Sequence, residues 1–493
     1  MPFTCLAIRI AALAVIALHL VAGLLPEEAA WSVWPYTALP APLGWLAGLA
    51  VASLSLTPVN DALGRWLGRL GTTVSNVIHR RFFVRDRRLW FALLALSAAI
   101  PFWLLRIRHL RWGDAYFITQ ALSYTGPDRP IWTIYNWQSP LSIFAHAQLW
   151  LWLNPALGVS VQTLYAITSV LSGVGFVYVL FLLADSLGGD GAQKATIFGL
   201  VVSTGSLQLF FGYVENYTLI SVGLMLTLYL GVRCLRGEIS LAWPSLTLAI
   251  TNAFHPSTLV VWPAMVYVGW QVAARQPSTR GQAWQWVRLV TPPLLILAGL
   301  SALMAAGGHG PGAMLTDDRP GGADSIPFVP LFQVTTEWQH YTMFSVAHFL
   351  DWVNEHLLIS PFGLFLLFLY LVISLGRLKS AASWPVENRT RPSFREARAD
   401  AQVTAFLAIA SMVYLLLTCV WNPDYGGRRD WDLFAPAAFV YTPLAATLLA
   451  RCFSWDTTAS GCTLARTARL LVAVSALHTL ALIYYNTLPW PLD

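Results

Sequence analysis

A carboxylate set behind three arginines, where an apolar run ends, is the first feature of this 493-residue chain with the makings of chemistry. Asp114 follows Gly113, is preceded by Arg106, Arg108 and Arg111, and opens an aromatic, helix-like stretch. An acid at the water-facing end of a membrane helix costs little. One backed by guanidinium groups and by a glycine that lets another group approach closely is placed to act. It can accept a proton as a general base while the arginines hold an anion in their forked donors. The bland alternative for each Arg is interfacial snorkelling.

The densest second set lies at 421–432. Asn422-Pro423 and Gly426-Gly427 are turn formers, Arg428 and Arg429 add two charges, and Asp430 and Asp432 flank Trp431 at a helix start. As chemistry this is a platform for an anion and a sugar, with Arg gripping phosphate, Asp taking hydroxyls and Trp stacking on a sugar face. As structure it is a capped helix entrance with compensating ion pairs. Glu215 and Asn216 stand at the mouth of two apolar runs and read either as site residues or as a helix-start acid bonded to backbone amides. His255, followed by Pro256, interrupts a hairpin and reads as a site residue or a structural hydrogen-bonder. Glu337 and His348 are weaker candidates on the segment 331–355.

These residues need elements to carry them, and composition says which. With 56% hydrophobic residues, 11% charged and 23 Trp, the chain reads as an all-α polytopic integral membrane protein, its apolar runs each matching a hydrocarbon core roughly 30 Å thick. Thirteen spans are expected, near 5–25, 37–57, 88–106, 160–184, 195–212, 217–234, 240–254, 257–274, 288–306, 356–377, 402–421, 433–450 and 470–487. The first reads as an uncleaved span, since no small-residue cleavage pattern stands behind it. The five cysteines have no paired ligand spacing and imply neither a zinc site nor a disulfide framework. A formal charge of +6 does not point to nucleic acid, because the cations sit in short loops between spans.

With residues 1–10 inside, 23 of the 30 Lys and Arg fall on inside segments and seven outside: Arg106, Arg108, Arg111, Arg129, Arg319, Arg428 and Arg429. That asymmetry follows the positive-inside rule. The same topology puts Asp114, Glu215, His255, the long loop and the 421–432 island on one face, so one site is expected there. The aromatic segment after Asp114 is expected to lie in the outer interface as short amphipathic helices. The loop after 306, rich in Gly and Asp, reads as a lid.

This layout resembles the GT-C superfamily of multi-spanning glycosyltransferases. The resemblance rests on Gly113-Asp114 at the start of a first large outer loop (107–159), interfacial helices after it, a many-helix body and a long late outer loop (307–355). Asp424-Tyr425-Gly426 echoes one motif of its oligosaccharyltransferase branch without the preceding Trp-Trp, so no branch is assigned. The resemblance implies a core at 88–493, with 1–87 as an N-terminal two-helix extension carrying a basic cytoplasmic segment. It implies transfer of a sugar from a polyprenyl-phosphate donor, with inversion, to a hydroxyl of a glycan, lipid or protein acceptor. Asp114 would be the base, and Arg108, Arg111, His255, Arg428, Arg429, Asp430 and Asp432 would bind donor phosphate and sugar, with Glu215, Asn216 and Glu337 as further candidates. Nearby Arg is expected to keep Asp114 ionised.

No cofactor is required, because a phosphate leaving group needs no general acid and Arg can neutralise it. A divalent metal held by Asp114 with Asp430 or Asp432 is the alternative. The rival classes are a transporter or flippase of lipid-linked saccharides, and a lipid-linked glycan polymerase or ligase. No inverted repeat supports the former. An Arg-rich, Lys-poor composition favours a bacterial inner membrane, with the site facing the periplasm or cell exterior.

Overall fold

Long apolar runs have only their own backbone to bond within a bilayer, and most of the described residues are helical. The computed structural model describes residues 2–82, 86–126, 128–315, 326–379, 394–454 and 462–490. Among them the one β contact is an isolated bridge between Phe328 and Trp421.

Eight helices among the described residues are long and apolar enough to cross a membrane, or up to ten if each of two bent pairs is one span. Thirteen were expected from hydropathy. Of the expected spans, 195–212, 240–254 and 257–274 fold as helices of 12, 13 and 12 residues with 3-10 turns beside them. Twelve residues rise only about 18 Å. Periodicity had recorded their apolarity, but Ser, Thr, Gly and Pro at 203–205 and 255–258 break the helices short. The bent pairs are Ala41–Ser55 with Thr57–Thr73, at 98°, and Val346–Ile359 with Gly363–Leu375, at 104°.

The helix Trp431–Ser454 is the axis of the bundle. Ala435, Ala437, Ala438, Ala445 and Ala446 are almost wholly buried along it. Small side chains let Gly191–Val202, Tyr217–Leu235, Gly363–Lys379 and Phe394–Val420 gather around it. Thr279–Ala306, by contrast, is largely uncovered by protein and presents Leu294, Leu295 and Leu297 outward. Of the segment after Asp114, Ala115–Ser123 and Pro140–Leu157 are helices, and neither is among the spans.

The two ends of the bundle differ in chemistry. At one end Arg466 pairs with Asp61, Arg87 and Lys194 share Asp185, and Arg233 pairs with Glu238. At the opposite ends of two of these helices stand Tyr217 and Asn486.

The first helix, Pro2–Val21, packs against the last, Leu464–Thr487, and one expectation changes with it. Cys5 and Cys462, 457 positions apart, form a disulfide with Cα atoms 6.5 Å apart, whereas no disulfide was expected. Nothing in their local spacing encodes the pair; the packing of first on last helix creates it.

Candidate functional site

Gly113 is the hinge of the site. Its amide donates to the carbonyl of Arg429 at 3.0 Å, which pins the first island to the second. Its φ of +51° suits glycine, and a Cβ there would stand 2.7 Å from Asp432 Oδ2 and 2.8 Å from Glu215 Oε1. The glycine thus seats the backbone directly between two buried carboxylates. Glu215 Oε1 accepts the amide of Asp114, and Glu215 Oε2 accepts that of Asn216 at 3.0 Å. Glu215 is therefore the clamp that holds the chain at Asp114.

The 424–432 turn supplies the other wall. Tyr425 is held by its own amide, which donates to Asp430 Oδ2 at 2.8 Å, and its hydroxyl donates to Asp114 Oδ1 at 3.2 Å. The Arg429 guanidinium lies over the Tyr425 ring, 4.4 Å from its centroid. Gly427 donates to Asp351 Oδ2 at 3.0 Å, and the same carboxylate accepts Tyr341 Oη and, through Oδ1, Trp31 Nε1, both at 2.9 Å. Arg428 is ion-paired with Glu27.

Burial is the main electrostatic effect. It raises the Asp114 carboxyl above the usual carboxylate range, while the Tyr425 hydrogen bond and the Arg429 charge oppose it. Arginine was expected to keep this acid ionised; it does pull that way, but desolvation is larger. Glu215 is raised well above its ordinary value by burial and then by the charges of Asp432 and Asp114, and Asp430 is raised by burial and Asp432. A carboxyl raised in this way binds a proton more readily than an ordinary one.

Two cavities meet at this point. One, of about 530 Å³, is lined by Arg111, Arg428 and Arg429 together with Leu110, Trp112, Tyr116, Phe117 and Tyr425. The other, of about 680 Å³, is lined by Asp114 and by Asn216, Gln120, Asn136, Gln138, Thr133 and Ser139 among aromatic and aliphatic side chains. Phe117 lines both, and Tyr425 reaches from the first to the acid of the second.

Asp114, Arg111, Arg428, Arg429, Asp430, Asp432, Glu215 and Asn216 are thus brought together from three separate stretches of chain. Three other candidates are not. Arg108 is exposed and lines neither cavity; its carbonyl accepts Gln162. His255 caps a 3-10 turn through Ser257 N at 3.2 Å and packs on Tyr217, as its structural reading has it. Glu337 is exposed and borders neither cavity. Trp431, expected to stack on a sugar face, is buried edge-on against Tyr213, because the helix it starts runs down the core. Asp430 and Asp432 lie behind the cavity walls. The expected lid residues Asp317, Asp318, Arg319, Gly321, Gly322 and Asp324 lie outside the described residues.

Sequence reasoning missed Tyr425, Glu27, Trp31 and Asp351. Tyr425 sat in the quoted island without a role, and the other three had no local signal at all. Among the described residues no three His, Cys, Asp or Glu side chains are grouped to hold a metal ion. Comparison with known proteins returns nothing: no family model, no curated protein and no solved structure matches the chain.

Proposed function

We propose that the protein is an inverting membrane glycosyltransferase, of the GT-C kind that its layout resembles, taking a sugar from a polyprenyl phosphate. The observation that carries this reading is the position of Asp114 where a cavity lined by three arginines meets one lined by amides and hydroxyls. The acceptor hydroxyl lies against Asp114. Its oxygen bonds to the anomeric carbon from the face opposite the phosphate, and its proton passes to Asp114. The anomeric carbon–oxygen bond breaks with its electron pair on the departing prenyl phosphate, where Arg111, Arg428 and Arg429 balance the growing charge. Phosphate is a good leaving group, so no second acid is needed.

The excess of cations at the other end of the bundle supports an orientation in the cell membrane with the site toward the periplasm or cell exterior. Asp114→Asn tests the assignment of the base. Transfer from a radiolabelled prenyl-phosphate sugar should fall by about 10²–10⁴ while donor binding persists. Unimpaired turnover would overturn it.

A further inference from the structure

We infer that the acceptor is an uncharged carbohydrate, bound in the 680 Å³ cavity on the Asp114 side, and not a phosphorylated or otherwise anionic molecule. The inference rests on the transferase reading and names the substrate class that the reading leaves open. The cavity's size falls in the roughly 300–1,000 Å³ range of small-ligand sites and leaves room for a short oligosaccharide.

Its polar groups, set among Phe117, Ile118, Leu122, Pro130, Trp132 and Ile143, are of one chemical kind. Gln120, Asn136, Gln138 and Asn216 offer amide donors and acceptors, Ser139 offers a hydroxyl, and Asp114 and Asp128 accept. Neutral hydroxyls, each both donor and acceptor, match that set without leaving a charge unpaired. Trp132 is nearly half exposed on the wall and supplies a flat apolar face for the C–H side of a pyranose.

The charge argument excludes anions. No Lys, Arg or His lines this cavity, and its two carboxyl groups are those of Asp114 and Asp128. Arg129, next in sequence to Asp128, is turned into the wall: its Nε donates to Thr133 Oγ1 at 2.9 Å and a terminal nitrogen to the Leu122 carbonyl at 3.1 Å. All three arginines of the site instead line the neighbouring cavity. The two cavities are therefore of opposite character, and a second phosphate has nowhere to be neutralised on the Asp114 side.

The test is photo-crosslinking on the full chain in lipid nanodiscs, with diazirine-bearing maltose and diazirine-bearing maltose 6-phosphate as probes, and peptide mapping of the adducts. The neutral probe should label residues between 114 and 143 at least about tenfold more than the phosphorylated one. Trp132→Ala should lose most of that labelling. The exposed Asp128→Lys, which adds a cation without disturbing the core, should narrow the preference toward the phosphorylated probe. Equal or stronger labelling of this segment by the phosphorylated probe, or no labelling by the neutral one, would overturn the inference. Asp114→Asn should still be labelled. Labelling that persists in a chain without any prenyl-phosphate-dependent transfer would sink the transferase reading and leave the carbohydrate site standing.

Discussion

The hydroxyl of Tyr425 donates to the carboxylate of Asp114 at 3.2 Å, joining residues 311 positions apart at the boundary of two cavities. The phenol is held well above its ordinary pKa by burial and by Asp114 itself, so it remains a donor throughout the working pH range.

Removing that donor should make Asp114 harder to ionise. Burial already raises its carboxyl, and the Tyr425 bond opposes the rise by favouring the charged form. In Tyr425→Phe the acidic limb of the kcat/KM profile should move to higher pH by about one unit or more, a hydrogen bond to a charged group being worth roughly 1.5–3 kcal/mol. Activity should recover as pH rises through the new value. An unmoved limb would show that Tyr425 does not bear on the base.

Gly113→Ala should damage both fold and site. The positive φ alone costs a non-glycine residue about 1–3 kcal/mol, and the new methyl must displace the carboxylates of Asp432 and Glu215. A lowered melting temperature in detergent, together with loss of transfer, is the expected result. Full stability would mean that the two acids can move apart freely.

Glu27 competes with the donor phosphate for Arg428, since the two are ion-paired while Arg428 also lines the arginine cavity. Glu27→Gln should lower the donor KM severalfold with kcat little changed. Arg428→Gln should raise it by about tenfold or more. Equal effects of both in one direction would make the pair a structural staple only.

The Cys5–Cys462 bond lies beside the Asp61–Arg466 pair, at the cation-rich end of the bundle. Disulfides seldom persist in a reducing cytosol. With that end cytosolic, as proposed, trapping thiols at cell lysis should find both cysteines reduced, and oxidation of the purified protein should close the bond and raise its melting temperature. A bond already closed in growing cells would reverse the orientation and place Asp114 on the cytosolic face.

The helical, membrane-embedded class was legible because it depends on local apolarity, which any window of the sequence carries. Short helices such as Gly191–Val202 and Ala242–Phe254 were read as full spans for the same reason: hydropathy records greasiness but not where a buried turn interrupts the helix. Gly113, Asp114, Arg428 and Arg429 were legible because charge and glycine at the edge of apolar runs are conspicuous. By itself, then, the sequence determined the class of molecule, the polar islands and the charge asymmetry between loops. Only the tertiary structure decided which residues meet: that Glu215 clamps Asp114, that Tyr425 bonds to it, that Glu27 pairs with Arg428 and Trp31 bonds to Asp351, that Cys5 reaches Cys462, and that Arg108 and His255 stand apart. Hydropathy and helical period are properties of neighbours along the chain. A contact across hundreds of residues depends on which helices pack around the alanine-rich axis, and that is settled by the fit of whole faces, with no trace in either partner's local sequence.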